Sequence, residues 1–299
     1  MVARSEKSLG LTFGVAAYAL WGLFPLYWPL LKPASPYEIV AHRAVWTSIF
    51  CILVLAFSKR IRAVFIRLRE PKILFGLLAT SILISINWMV YIWATNNDHV
   101  VEASLGYYIN PLVIIAFGVL LLKEKMRKGQ WIAVGIATIG VTVLAFDYGR
   151  LPWVAIGLAL SWASYGVLKK LLDLGALEGL AIETLLSLLP YMAFLVILES
   201  NGSGQFGHSW GLSLLMISAG VVTAVPLLLF NGSTTRLPYT IIGLLQYITP
   251  TIQFSIGVWI RHEDMPGARW AGFLLIWAAL IALAIDLVRS GRAVDNRIA

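Results

Sequence analysis

The sequence predicts an all-α polytopic membrane protein, with ten transmembrane helices arranged as two inverted five-helix repeats and both termini in the cytoplasm. Three observations predict it. The 299 residues are 59% hydrophobic and only 13% charged, where a soluble domain carries about 25% charged residues. Apolar runs long enough to span a bilayer follow one another along the chain. A stretch near the middle also recurs without a gap 139 residues later: LGYYINP from Leu105 becomes LLQYITP from Leu244. Between Leu105 and Trp131 nine of 27 positions are identical in the two copies, among them Tyr108/Tyr247, Pro111/Pro250, Gly118/Gly257, Glu124/Glu263 and Trp131/Trp270.

A bilayer core takes about 20 apolar residues per helix. The first run, 9–31, follows Arg4 and Lys7 and is too long for a signal-peptide core, so it reads as an uncleaved span. Lys32-Pro33-Ala34-Ser35-Pro36 closes it and the second run, 37–57, opens. Runs at 72–95, 100–122 and a short one at 130–146 complete the first half. The second half has 152–172, 179–198, then Asn201-Gly202-Ser203-Gly204, then 209–230, which Pro226 interrupts. After Leu237-Pro238 come 239–260 and 269–288. The repeat units are therefore 1–147 and 148–299, five spans each.

Basic residues set the orientation. With the N-terminus inside, 18 Lys and Arg fall on the cytoplasmic side (Arg4, Lys7; Lys59, Arg60, Arg62, Arg67, Arg69, Lys72; Lys123, Lys125, Arg127, Lys128; Lys169, Lys170; Arg236; Arg289, Arg292, Arg297). Five (Lys32, Arg43, Arg150, Arg261, Arg269) fall outside. Five spans per unit is an odd number, so the second unit enters the membrane upside down. Inverted repeats of this kind underlie alternating access around a midplane site.

WGLFPLYWPLL after Tyr18, HRAVW from His42, NWMVYIWATNNDHVVEASLGYYINPL from Asn87, LGALEGL, and GLLQYITPTIQF from Gly243 resemble the RarD family, in the EamA branch of the drug/metabolite transporter superfamily. The resemblance covers nearly the whole chain. It implies a ten-helix permease of the bacterial inner membrane with a central cavity, exporting small metabolites or drugs.

An ionisable residue inside a membrane helix costs about 2.5–3.5 kcal/mol on insertion scales, so each needs a reason. Glu38, His42 and Trp46 form one stripe at the start of the second span, with Arg43 alongside. They are candidates for gating or proton coupling, since a histidine beside a carboxylate titrates near neutral pH. The plainer reading is a helix cap, a local bond and a snorkelling arginine. Glu183 is expected to pair with Lys169 or Lys170 across the sixth and seventh spans, as an inner gate or a structural link.

Substrate-cavity candidates are Trp21, Trp46, Asn87, Trp88, Tyr91, Tyr108, Asn110, Tyr165, Gln246 and Tyr247. For Asn87 the competing role is an interhelical bond. Pro111 and Pro250 each lack a backbone donor and are candidate paired hinges, or packed kinks. Glu102 is expected to cap a helix start. Twelve Trp and eleven Tyr favour planar or amphipathic cargo, amino-acid derivatives included.

The expected partners are a small-molecule cargo and the bilayer, with no nucleic acid and no protein partner implied. The net charge of +8 is spread between apolar segments instead of gathered on one face. Cys51 is alone, the four histidines are far apart, and no Walker A sequence is present, so neither a metal, a cofactor nor ATP is expected. An intramembrane enzyme of lipid or isoprenoid metabolism is the alternative, and the scattered Asp98, Asp147, Asp173 and Asp286 argue against it. A receptor or scaffold would need longer loops.

Overall fold

Two prolines break the first apolar run. Helix α1 (Val2–Gly22) stops short of Pro25, α2 (Phe24–Tyr27) carries that proline in its first turn, and a 3₁₀ turn (Trp28–Leu31) follows with Pro29. Each proline lacks an N–H and clashes with the preceding turn, so the chain re-enters helix in short pieces. The computed structural model describes residues 2–57, 69–122, 128–172, 176–234, 236–237 and 245–298. Of the residues read above, Lys59, Arg60, Arg62, Arg67, Lys123, Glu124, Lys125, Arg127, Asp173, Pro238 and Leu244 lie outside it, as do the side chains of Arg4, Pro111, Lys170, Arg289, Arg292 and Arg297.

The remaining helices are α3 (Pro36–Phe57), α4 (Pro71–Asn96), α5 (Val100–Leu122) and α6 (Lys128–Asp147). Then come α7 (Trp153–Leu172), α8 (Ala176–Ser200), α9 (Trp210–Thr234), α10 (Ile248–Ser255) and α11 (Gly267–Ile298). The described residues contain no strand. Among the described residues, seven segments are long and apolar enough to cross a membrane: Glu6–Leu31, Pro36–Phe57, Pro71–Asn96, Lys128–Asp147, Glu178–Ser200, Trp210–Phe230 and Gly267–Asp286. Phe146, 83% exposed, and Leu189, 80% exposed, lie on an apolar outer surface that suits lipid.

Proline does not break every helix. Pro190 and Pro226 lie within continuous α8 and α9, so the interruption expected at Pro226 does not occur. Neighbouring helices and local adjustment satisfy the freed carbonyls in such cases. The two motif copies also differ. Helix α5 runs unbroken through Pro111, whereas Pro250 sits in the first turn of α10, where an N–H would be unpaired anyway. The second copy breaks instead at the Gln246–Tyr247 turn and in a π-helical turn, Ile256–Ile260. The two prolines thus sit in different local settings.

Helix packing follows the repeat. Let α1, α3, α4, α5 and α6 be exchanged with α7, α8, α9, α10 and α11. The α5–α7 pairing then becomes α10–α1, α3–α9 becomes α8–α4, and α1–α9 becomes α7–α4, all of which are packed pairs. The pairs α3–α8, α5–α10 and α6–α11 map onto themselves. One apolar cluster gathers around α3 and α4 (Trp28, Ile39, Leu77, Trp88, Ile92). A second joins α5, α6, α10 and α11 (Leu105, Tyr108, Phe254, Phe273, Ile276).

Candidate functional site

Arg43 is the eighth residue of α3 and Glu183 the eighth of α8. At 1.5 Å per residue each lies about 10 Å from the start of its helix. The two positions are treated alike by their surroundings. Phe24 of α2 and Trp28 of the 3₁₀ turn, four residues apart, place their rings 5.7 and 4.8 Å from the Arg43 guanidinium carbon. Tyr165 and Lys169, four apart on α7, reach Glu183: the phenol donates to Oε2 at 3.1 Å and Nζ donates to Oε1 at 3.1 Å. A threonine from the other half completes each set. Arg43 Nε donates to Thr223 Oγ1 at 2.9 Å, and Thr80 Oγ1 donates to Glu183 Oε1 at 2.6 Å.

The chemistry differs although the scaffold repeats. Glu183 has a cation and two hydroxyls, and its backbone carbonyl accepts from Ser81 at 3.0 Å. Arg43 is 4% exposed, and among the described residues no carboxylate pairs with it. Its carbon stands 4.0 Å from the Trp88 ring centre, and Nη1 has no hydrogen-bond partner. Cation–π contact offsets part of the desolvation of a buried guanidinium but supplies no acceptor for its N–H groups. The phenols of Tyr107, Tyr91, Tyr27 and Tyr191 are within its electrostatic reach. Tyr91 lies edge-on to Tyr107 with ring centres 5.8 Å apart and accepts from Gln253 Nε2 at 2.9 Å. Gln253 Nε2 also donates to the Trp21 carbonyl at 3.3 Å, which leaves the buried Oε1 without a partner.

Glu38 and His42 do not share the Arg43 environment. Ser35 Oγ accepts from Glu38 N–H at 3.2 Å, capping α3, while the Glu38 carboxylate accepts from Gln205 N–H at 2.7 Å. His42 lies 4.0 Å from that carboxylate and stacks on Phe206, ring centres 4.7 Å apart. Trp46 continues the stripe 6.3 Å from Phe206. These side chains hold the connection between α8 and α9 against the start of α3. Arg43, one residue on from His42, is turned about 100° around the helix axis, so it stands beside the stripe and meets other partners.

Other cavity candidates separate as well. Asn87 donates to the Leu158 carbonyl and to Ser161 Oγ at 3.1 and 2.9 Å, so its amide joins α4 to α7. Tyr108 shares a 3.0 Å hydrogen bond with Thr251 and lies among Phe273 and Trp277, in the second apolar cluster. Asn110 is buried with Oδ1 unpartnered. Gln246 and Tyr247 form the half-buried turn before α10, and Tyr247 packs on the second cluster. Trp88 and Tyr165 do touch the two repeated clusters, while Tyr91 and the backbone carbonyl of Trp21 meet Gln253.

Sequence reasoning passed over Gln253, Thr223, Thr80 and Tyr27. Gln253 had a signal, because it stands opposite the apolar Ile114 in the repeat. The threonines had none, since a hydroxyl in an apolar helix usually bonds its own backbone.

Glu102 accepts from Arg150 Nη2 at 2.9 Å and from Val154 N–H at 3.1 Å, so it caps α7 instead of its own helix. Glu263, in the connection before α11, accepts from the N–H groups of Val100 and Val101 at 2.6 and 3.0 Å and caps α5. Burial pushes its carboxyl up to about 7, against the lowering effect of those two bonds.

The comparisons with known proteins agree with one another. The EamA-like transporter family matches residues 8–146 and 152–285. "Protein RarD" of Streptomyces exfoliatus is 49% identical over 98% of this chain and 93% of its own length. "Uncharacterized transporter YojE" of Bacillus subtilis is 43% identical over 97% of this chain and 98% of its own. "Protein RarD" of Escherichia coli is 38% identical over 95% and 96%. A solved crystal structure superposes with a TM-score of 0.60 over 95% of this chain and 99% of the other, at 18% identity, which is likeness of fold alone. The chain is a multi-pass membrane protein that belongs to the EamA-like transporter family, in its RarD branch within the drug/metabolite transporter superfamily.

Proposed function

We propose that this protein is a secondary transporter of the bacterial inner membrane, moving small amphipathic or aromatic metabolites or drugs, amino-acid-like compounds among them, outward by alternating access. In this reading the chain crosses the membrane ten times, with both termini cytoplasmic and residues 1–147 and 148–299 as inverted repeats. The carrying observation is the pair of equivalent clusters built on Arg43 and Glu183. With the repeats inverted, Arg43 lies in the outer half of the membrane and Glu183 in the inner half, each at a seam between the two units. Packing partnerships that map onto themselves under exchange support two alternative arrangements of similar energy, the condition for a bistable carrier.

Purified protein in sealed proteoliposomes is expected to give saturable flux of at least one compound from a panel of amino acids, nucleosides and phenicols. That flux is expected to disappear in the Glu183→Gln, Lys169→Met double variant. No saturable flux for any member contradicts the reading.

A further inference from the structure

We infer that Arg43 is the anchor for an anionic cargo, and that the cargo class is a planar or aromatic body bearing one carboxylate. The inference rests on the transporter reading and adds the charge of what is carried. A guanidinium has five N–H donors and remains ionised in proteins. In this fold Nε is used by Thr223, Nη1 has no acceptor, and no carboxylate of the described residues pairs with the group. Glu183, at the equivalent position, has Lys169 within 3.1 Å. One half of the scaffold therefore carries its own counter-ion and the other does not. A buried cation held only by rings and one hydroxyl is completed best by a carboxylate, which matches the guanidinium edge with two parallel bonds.

The surroundings define the rest of the molecule. A groove of about 320 Å³ runs between the α1–α2 break and α9, lined by Leu20, Leu23, Phe24, Tyr27, Val222 and Pro226. Phe24 belongs both to this groove and to the rings around Arg43. The Phe24, Trp28 and Trp88 rings around the guanidinium are aromatic, which suits a flat body attached to the acid group. The unpartnered Gln253 Oε1, on the far side of Tyr91, is an acceptor for an N–H donor on the same cargo. Arg43 supplies a single charge, and the ionisable groups within its reach are phenols, a poor match for a phosphate dianion.

The test uses the full chain in detergent, with N-acetyl-phenylalanine, its neutral amide, and phenyl phosphate as probes. Binding is followed by quenching of tryptophan emission and by the thermal midpoint. The carboxylate is expected to bind at least tenfold more tightly than the amide or the phosphate. That preference is expected to vanish in Arg43→Gln and to survive, weakened several-fold, in Arg43→Lys, which keeps the fold's cation if the glutamine variant does not assemble. A wild-type protein that binds no carboxylate better than its amide, or that prefers phenyl phosphate, overturns the inference. So does an Arg43→Gln variant with the preference intact. Flux of the same probes in proteoliposomes separates the two readings. Selective binding without flux leaves the anion site standing and removes the transporter, whereas flux with no charge preference does the reverse.

Discussion

The Lys169 ammonium on α7 lies 3.1 Å from the Glu183 carboxylate on α8, and the same carboxylate oxygen accepts from Thr80 on α4 at 2.6 Å. Three helices thus meet on one buried acid. Removing one member of such a pair leaves an uncompensated charge and costs about 3–5 kcal/mol, while removing both costs less. Lys169→Met should therefore lower the thermal midpoint in detergent more than Lys169→Met with Glu183→Gln. Additive losses in the double variant contradict the pairing as a stabilising unit.

The approach of α9 to α3 gives a second prediction. A Cβ on Gly220 would lie 2.5 Å from the backbone carbon and oxygen of Trp46. Backbone cannot rotate aside, so Gly220→Ala must push the helices apart. Overpacking of this kind costs about 1–3 kcal/mol. A drop of several degrees in the thermal midpoint is expected. An unchanged midpoint contradicts the close crossing.

Glu263 predicts a pH dependence. Its carboxyl in the folded protein is raised to about 7, chiefly by burial, above its value in an unfolded chain. A raised acid holds its proton longer when folded, so its contribution is full at low pH and is lost as pH rises through about 7. The protein should therefore lose stability between about pH 5 and pH 7. Glu263→Gln should flatten that part of the stability profile, measured as thermal midpoint against pH. A slope that is equal in both proteins contradicts the assignment.

Much of this was readable before the structure. The gapless repeat from Leu105 and Leu244 located corresponding helices, and the spacing of Lys169 and Glu183 from their span ends made their pairing foreseeable. Facing was less legible. Asn87 and Tyr91 share one helix face, yet Asn87 ties α4 to α7 while Tyr91 meets Gln253. A one-turn offset along α4 is enough to change which neighbour a side chain meets. Gln246 is read from the sequence as a cavity residue and Gln253 is not, but a turn at Gln246–Tyr247 restarts the helix and gives Gln253 the inward position. Local pattern cannot reveal where a helix restarts, because tertiary contacts decide it.

His42 and Glu38 yield a fourth prediction, for the connection between α8 and α9. They hold Phe206 and Gln205 against the start of α3. A proton-coupled cycle through them requires flux that responds to an imposed pH gradient in sealed vesicles, and His42→Ala should abolish the response. Flux indifferent to the gradient in the unaltered protein eliminates proton coupling at this site.

Alternating access itself is tested most directly at Thr223, which is buried against Arg43 at the seam of the two repeats. In a Cys51→Ser background, Thr223→Cys provides the single thiol. A membrane-impermeant thiol reagent should label it when added outside right-side-out vesicles, and again when added to inverted vesicles. Labelling from one face only, under every cargo and pH condition tried, would contradict a carrier that opens to both sides.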